Sequence, residues 1–247
     1  MANEDSTADS IGDEPFQFYS KFKDYIEVAV DSDRQHGIEI VQSSKPDVIL
    51  LDDAYQHRKV KAGLNILLTT YENPYYMDII LPTGDLREPR SGAERANIIM
   101  VTKCPKGLSD IEKSNIIKRI NPNVHQNVFF SSIAYSDILF SAGEFKMLDR
   151  LDEFTLVTGI ANADPLVQFL NEKKLSFEHL NFKDHHEFSQ EDIEILKNKA
   201  LIITTEKDFM RLKQFEVLRD KLFYLPITVS IDNELEFNQK IKNFITR

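Results

Sequence analysis

The chain has 247 residues, of which 42% are hydrophobic, so it can bury a sizeable core, and we expect two moderate domains. Its formal net charge of -10 argues against nucleic acid as a partner, because phosphate contacts need clustered Lys and Arg. One cysteine, Cys104, excludes an internal disulfide framework and favours a reducing interior such as the cytoplasm. Since no apolar run reaches the length of a membrane span, we expect a soluble or at most peripheral protein.

Short apolar runs alternate with amphipathic stretches along the chain. The apolar runs predict strands over residues 25–30, 47–51, 64–70, 97–102, 154–160, 201–205 and 222–231. Helical spacing of apolar residues predicts helices over 33–42, 109–120, 165–173, 189–197 and 233–245. Ser109 stands before Asp110 to Glu112 and Ser189 shortly before Glu191, as N-cap residues do.

Strands interleaved with helices indicate parallel sheets covered on both faces, which is the α/β class. The pattern is interrupted near residues 141–151, where we place a domain boundary. The predicted domains are therefore residues 1–145 and a smaller α/β domain over 146–247.

Two adjacent carboxylates, Asp52 and Asp53, follow the apolar run 47–51. Such oxygen ligands at the carboxyl end of a parallel strand suit Mg²⁺ held against nucleotide phosphates. The alternative is that both residues only end a strand and cap the next turn.

Asp13 lies in Gly12-Asp13-Glu14-Pro15, just before an apolar stretch with helical spacing. One interpretation makes Asp13 the cap of a helix that has Pro15 in its first turn. The other makes it a general base that accepts a proton from an attacking hydroxyl.

Three further segments combine turn residues with charged side chains. Arg87 and Glu88 are either phosphate or substrate contacts or an exposed ion pair. His185, beside His186, is a candidate proton-relay residue, with a helix-capping loop as the alternative. Thr205-Glu206-Lys207-Asp208 is equally consistent with a ligand site and with the start of a helix.

Taken in order, five segments resemble the signature segments of the tetraacyldisaccharide 4'-kinase family and span nearly the whole chain. They are Gly12-Asp13-Glu14-Pro15, Leu51-Asp52-Asp53 with Gln56-His57, Leu86-Arg87-Glu88-Pro89, Asp184-His185-His186 and Thr205-Glu206-Lys207-Asp208.

This resemblance implies a P-loop-type kinase that transfers the γ-phosphate of ATP to the 4'-hydroxyl of a lipid A disaccharide precursor. It implies action at the cytoplasmic face of the bacterial inner membrane, with Mg²⁺ as cofactor. By the same comparison Asp13 is the base and His185 its partner across an interdomain cleft, while Asp52 and Asp53 are the metal ligands. Substrate contacts are implied for Gln56, His57, Arg87 and Glu88.

One departure from the family pattern is large, because no G-x-x-x-x-G-K-[ST] loop occurs in the sequence. We therefore expect an incomplete P-loop NTPase-like domain without a phosphate-binding loop, and no kinase activity in the chain as given. The expectation is that a preceding segment with this loop and the main membrane contact belongs to the complete enzyme. The alternative is a naturally short, noncatalytic relative that binds a glycolipid or a partner protein.

Overall fold

A computed structural model describes residues 1–141 and 143–246. Ala142, inside the predicted boundary segment, lies outside the described residues. In chain order the helices are α1 (Ala8–Ile11), α2 (Asp13–Phe22), α3 (Arg34–Gln42), α4 (Asp110–Ile120), α5 (Asp164–Glu172), α6 (Gln190–Lys197), α7 (Glu206–Leu212) and α8 (Glu234–Ile245). The strands are β1 (Ile66–Thr70), β2 (Ile98–Thr102), β3 (Asn127–Tyr135), β4 (Ile138–Phe140), β5 (Phe145–Met147), β6 (Glu153–Thr158), β7 (Ser176–Asn181), β8 (Ile202–Thr205), β9 (Leu222–Leu225) and β10 (Ile227–Ile231).

Contacts divide the chain into two units, each made of two stretches of sequence. The first unit contains Met1–Val30 and Tyr135–Thr228, and the second contains Asp31–Ala134 and Val229–Arg247. The chain therefore passes from one unit to the other more than once. The predicted domains 1–145 and 146–247 stay a prediction.

The first unit is built on a six-stranded sheet in the order β5-β4-β9-β8-β6-β7. Strands β7, β6, β8 and β9 run parallel, whereas β4 is antiparallel to both β5 and β9. Leu156 of β6 packs with helix α5, while its neighbour Val157 packs with α6 and α7. Since successive strand residues point to opposite faces, helices cover both faces of this sheet.

The second unit contains a four-stranded sheet in the order β1-β2-β3-β10. Strands β1, β2 and β3 are parallel. Ile99 of β2 packs with residues of α4, whereas Ile98 packs with residues of α8. Mostly parallel sheets with helices on both faces confirm the predicted α/β class.

Several local predictions match the structure. Strands β1, β2, β6 and β8 occupy the predicted apolar runs, and helices α3 to α6 and α8 occupy the predicted amphipathic stretches. Ser109 and Ser189 both form capping boxes, with Glu112 and Asp192 respectively. These features depend on neighbouring residues, which is why the sequence predicts them well.

Two predicted strands, 25–30 and 47–51, are wrong, because neither segment is a strand in the structure. Leu50 is 86% exposed and Tyr25 is 87% exposed, so these two side chains do not face a core. A strand requires a hydrogen-bonding neighbour, and apolar composition alone does not supply one. Consequently Asp52 and Asp53 do not follow a central parallel strand as expected.

The predicted strand 222–231 is two strands, β9 and β10, which belong to different sheets. Pro226 lies between them and has no backbone N–H to continue a ladder. Strands β3 and β7 were not predicted, and both mix polar with apolar residues. Their pairing with β2 and β6 places them in the sheets.

Candidate functional site

Helix α2 places Asp13 at its first residue. The N-cap is Gly12, which has a φ of 92°. Residues that carry a Cβ atom rarely adopt this backbone conformation. Asp13 is therefore not the cap, as one interpretation of the sequence held, but the first residue of the helix. A carboxylate in the first turn is favoured by the unpaired N–H groups there.

His185 lies beside Asp13, with 3.3 Å between its Nδ1 atom and Oδ2 of Asp13. The predicted approach of His185 to Asp13 is thus present, and both residues belong to the first unit. The backbone of His185 has a φ of 56°, in the left-handed region that is uncommon for a residue other than glycine.

Only one of the two adjacent histidines contacts Asp13. Nε2 of His186 lies 2.9 Å from Oδ2 of Asp192, and its ring stacks on Phe182 with 4.6 Å between centroids. His186 therefore belongs to the cap and core of α6. The two neighbouring side chains therefore point to different partners, and His185 is the one of the two that contacts Asp13.

The two ring nitrogens of His185 have different partners. Nζ of Lys207 lies 2.9 Å from Nε2. Nδ1 lies 3.3 Å from Oδ2 of Asp13 and 3.1 Å from Nη2 of Arg211. Charged groups therefore contact both edges of the imidazole and hold it beside Asp13.

Arg211 of α7 contacts the same carboxylate. Its Nε donates to Oδ2 of Asp13 at 3.1 Å, and its Nη2 also donates to Oδ2. The side chain of Arg211 is 11% exposed and that of Asp13 is 20% exposed, so solvent screens this ion pair only partly. Sequence reasoning missed Arg211.

A signal for Arg211 exists in the sequence. It stands three residues after Asp208, and residues at this spacing share one face of a helix. A helix that starts within Thr205-Glu206-Lys207-Asp208 and continues for one turn beyond Asp208 includes Arg211.

The pKa of Asp13 is shifted in opposite directions by its surroundings. Burial raises this pKa, whereas the hydrogen bond and charge of Arg211 lower it, with smaller lowering contributions from His185. The net effect holds the pKa of Asp13 below its ordinary value of 3.8. Asp13 is therefore a carboxylate, able to accept hydrogen bonds, at neutral pH.

Asp52 and Asp53 lie in the second unit, and both are exposed. Oδ1 of Asp52 accepts the backbone N–H of Asp53 at 3.0 Å. Oδ2 of Asp53 lies 3.6 Å from Nη1 of Arg87, and both side chains are mostly exposed. An ion pair so accessible to water contributes little to stability.

The chemistry of these two carboxylates suits Mg²⁺, which takes oxygen ligands and often only one or two carboxylates together with phosphates and waters. Within the described residues, no group of three or more His, Cys, Asp or Glu side chains could hold a metal by itself. An ion at Asp52 and Asp53 would therefore need oxygen atoms from a substrate or from water to complete its coordination.

The other predicted substrate contacts differ in their surroundings. Nδ1 of His57 lies 3.5 Å from Nη1 of Arg34, and His57 and Arg87 are exposed while Gln56 is half-buried. Glu88 is 14% exposed and accepts from Arg58 at 2.8 Å and from Arg95 at 2.6 Å. Glu88 thus holds two arginines within its own unit.

Among the described residues, no helix has the length and apolar character required to cross a membrane.

Comparisons with known proteins agree on one family. The family model described as LpxK, tetraacyldisaccharide-1-P 4'-kinase, matches residues 1–246. A tetraacyldisaccharide 4'-kinase of Flavobacterium johnsoniae is 48% identical, with 99% of this chain and 73% of the relative covered. One from Bacteroides fragilis is 41% identical, with 99% of this chain and 72% of the relative covered.

The fold also matches a solved structure, described as an "apo" form of LpxK from Aquifex aeolicus in complex with ATP. Its TM-score is 0.74 at 23% sequence identity, covering 98% of this chain and 71% of that chain. This likeness establishes the fold, and the sequence matches establish the family. The chain belongs to the tetraacyldisaccharide-1-P 4'-kinase family.

Proposed function

We propose that this chain provides the catalytic carboxylate of an enzyme that phosphorylates the 4'-hydroxyl of a tetraacyldisaccharide 1-phosphate with ATP. The substrate follows from the name of the family and of its relatives. ATP is the nucleotide with which the Aquifex aeolicus protein forms its complex. The observation that carries the proposal is the contact of Asp13 with His185 in a chain that the family model matches over residues 1–246.

In this proposal Asp13 is the general base. The sugar hydroxyl gives its proton to the carboxylate while its oxygen bonds to the γ-phosphorus, and the bond from that phosphorus to the bridging oxygen breaks to release ADP. The imidazole of His185 lies with Nδ1 beside Oδ2 of Asp13 and so orients the carboxylate. Lys207 holds the imidazole from its other nitrogen.

Asp52 and Asp53 are the proposed ligands of Mg²⁺. The ion would neutralise phosphate charge during transfer. Gln56, His57 and Arg87 are proposed substrate contacts, and their exposed or half-exposed polar groups are accessible to a ligand. For Glu88 the proposed role is to fix Arg58 and Arg95 beside that surface.

We also propose that the enzyme works at the cytoplasmic face of the bacterial inner membrane. A tetraacylated substrate has to be reached in a membrane, because its chains are too apolar to leave one readily. Flotation of the protein with vesicles that contain the acylated disaccharide tests this location. Equal recovery with vesicles that lack the disaccharide, or with none, would count against it.

The activity is tested best in a chimera in which this chain replaces the matching part of the Flavobacterium johnsoniae kinase. We expect the chimera to transfer labelled phosphate from ATP to tetraacyldisaccharide 1-phosphate. Asp13→Asn should lower the rate by about 10²-fold to 10⁴-fold, the usual contribution of a general base. Asp9→Asn, at an exposed residue of α1, is the matched control.

A folded chimera without activity that still binds the acylated disaccharide would favour the noncatalytic alternative. Full activity in Asp13→Asn would remove Asp13 from the mechanism.

A further inference from the structure

Apart from Lys207, which contacts His185, the family motif Thr205-Glu206-Lys207-Asp208 has no place in the reaction described so far. It forms the start of α7, where Oγ1 of Thr205 caps the helix by accepting the backbone N–H of Asp208 at 3.1 Å. Glu206 and Asp208 are both buried, which is unusual for acidic residues unless they are paired. Their partners show what this segment does.

Asp208 is fully buried, and each of its oxygens has a partner. Oδ2 accepts the backbone N–H of Gly159 at 2.9 Å and the hydroxyl of Thr205 at 2.7 Å. Oδ1 accepts from Nη1 of Arg211 at 3.4 Å. The carboxylate therefore connects the end of β6 to the arginine that faces Asp13.

The approach of β6 to Asp208 is close. A Cβ atom on Gly159 would lie 3.0 Å from Oδ1 of Asp208 and 3.4 Å from the carbonyl oxygen of Lys183. Glycine leaves room for the backbone N–H to reach the carboxylate. The position of Asp208 is thus determined by two separate elements of the first unit.

Arg211 links this buried carboxylate to the candidate base. Its guanidinium contacts Asp208 on one side and Oδ2 of Asp13 on the other, and Nη2 lies 3.1 Å from Nδ1 of His185. The arginine and histidine contacts of Asp13 all go to Oδ2. Among the described residues, Oδ1 of Asp13 accepts no hydrogen bond and is left for a substrate hydroxyl.

We propose that Arg211 is a positioning residue that binds one oxygen of Asp13 and so presents the other to the hydroxyl, and that Asp208 holds Arg211 in place. The motif 205–208 thereby acts through Asp13 and is not a ligand site. This inference rests on the proposed role of Asp13 as the base.

The charged groups around the carboxylate determine how it responds to a change at Arg211. Asp13 faces Arg211 of α7 and His185 of the loop before α6, and Arg211 faces Asp208. In Arg211→Gln the positive charge is lost while burial of Asp13 remains, so the pKa of Asp13 should rise. Arg211→Lys keeps a charge but loses the planar pair of donors.

The first arm of the test measures the pKa of Asp13 in this chain by carbon NMR of labelled aspartate. We expect a higher pKa in Arg211→Gln than in the unaltered chain and a smaller rise in Arg211→Lys. Arg219→Gln, at an exposed arginine of the same unit, should change nothing. An unchanged pKa in folded Arg211→Gln, or in folded Arg211→Lys if the former does not fold, overturns the inference.

The second arm measures kinetics in the chimera. We expect kcat of Arg211→Lys to fall by up to about 10²-fold with little change in KM for ATP, because the base is misplaced while nucleotide binding is untouched. In Arg211→Gln the acid limb of the kcat/KM profile should move to higher pH. An equal rise in KM, or an acid limb that does not move, contradicts a positioning role.

The two arms separate this inference from the proposed function. If the unaltered chimera transfers no phosphate, the proposed function fails, while the NMR arm still reports whether Arg211 controls Asp13. If transfer depends on Asp13 but the variants of Arg211 behave like the control, the proposed function stands and the inference fails.

Discussion

The Nδ1 atom of His185 and Oδ2 of Asp13 lie 3.3 Å apart, although the two residues come from separate stretches of the first unit's sequence. If they act as one unit, removing either should cost nearly as much activity as removing both. We expect Asp13→Ala, His185→Ala and the double variant of the chimera to show strongly non-additive losses in kcat. Additive losses, or full activity in His185→Ala, would contradict the paired role.

Lys21 of α2 and Glu206 of α7 form an ion pair at 2.9 Å, in which Glu206 is 8% exposed and Lys21 is 42% exposed. Lys21→Met leaves a buried carboxylate without its partner. We expect a loss of about 1–3 kcal/mol in the free energy of unfolding, since Lys21 is partly solvated. Urea unfolding measures this loss.

Lys23→Met, at an exposed lysine just after the same helix, is the control and should change stability little. Combining Lys21→Met with Glu206→Gln should recover part of the loss, because no charge is then left buried. Equal stability of the Lys21 and Lys23 variants would show that the ion pair does not hold α2 on α7.

Glu88 is expected to make stability depend on pH. The hydrogen bond from Arg95 lowers its pKa most, burial raises it, and Arg58 lowers it again, so the net pKa lies below the ordinary 4.5. The carboxylate therefore stabilises the fold above pH 4.5, and this contribution is lost as the pH falls through the lower pKa of the folded state.

We expect Glu88→Gln to be less stable than the unaltered chain by about 1–3 kcal/mol at pH 7. This difference in the free energy of unfolding should shrink as the pH falls below the ordinary carboxyl pKa of 4.5. Unfolding by urea at several pH values measures it. Glu94→Gln, at an exposed residue of the neighbouring 3₁₀ helix, provides the comparison. A difference that stays constant with pH would exclude ionised Glu88 as its source.

The sequence contains no G-x-x-x-x-G-K-[ST] loop, whose N–H groups and lysine would hold the phosphates of a nucleotide. We therefore expect the 247-residue chain to bind Mg-ATP weakly or not at all and to transfer no phosphate by itself. Titration calorimetry checks the binding. Micromolar affinity that is lost in Asp53→Ala would show that the loop is dispensable.

Strand β1 lies at one end of its sheet, and Leu68 in the middle of it is 64% exposed. Unpaired strand edges with apolar side chains promote pairing between chains. We expect the chain to self-associate as its concentration rises, and Leu68→Lys to reduce this association. Sedimentation velocity over a range of concentrations measures it.

Leu235→Lys is the matched control, because Leu235 is 86% exposed but lies on helix α8. If both lysine variants reduce association equally, added charge and not the strand edge is responsible. If neither does, the edge is not the contact.

The residues that carry local signals were predictable. Ser109 with Glu112 marks the start of α4, and buried apolar runs mark β2, β6 and β8, because both depend on neighbours in the sequence. The family also followed from short motifs in the right order. Residues such as Asp13 and His185 could be nominated in this way before any contact was known.

Pairing of strands could not be predicted in the same way. Segment 47–51 is as apolar as a buried strand yet has no strand structure, whereas β7, with its polar residues, pairs along its whole length with β6. A strand exists only if another part of the chain offers its hydrogen bonds, and that depends on the tertiary structure.

The surroundings of Asp13 likewise depend on both sequence and tertiary structure. From its sequence neighbours alone, Asp13 can be interpreted either as a helix cap or as a general base. Arg211, 198 residues away, is brought to its carboxylate by the packing of α7 against α2 and by the buried Asp208. The residue types at the site were thus set by sequence, but only the tertiary structure decided which charges meet, because contacts between distant segments form when the core brings their helices together.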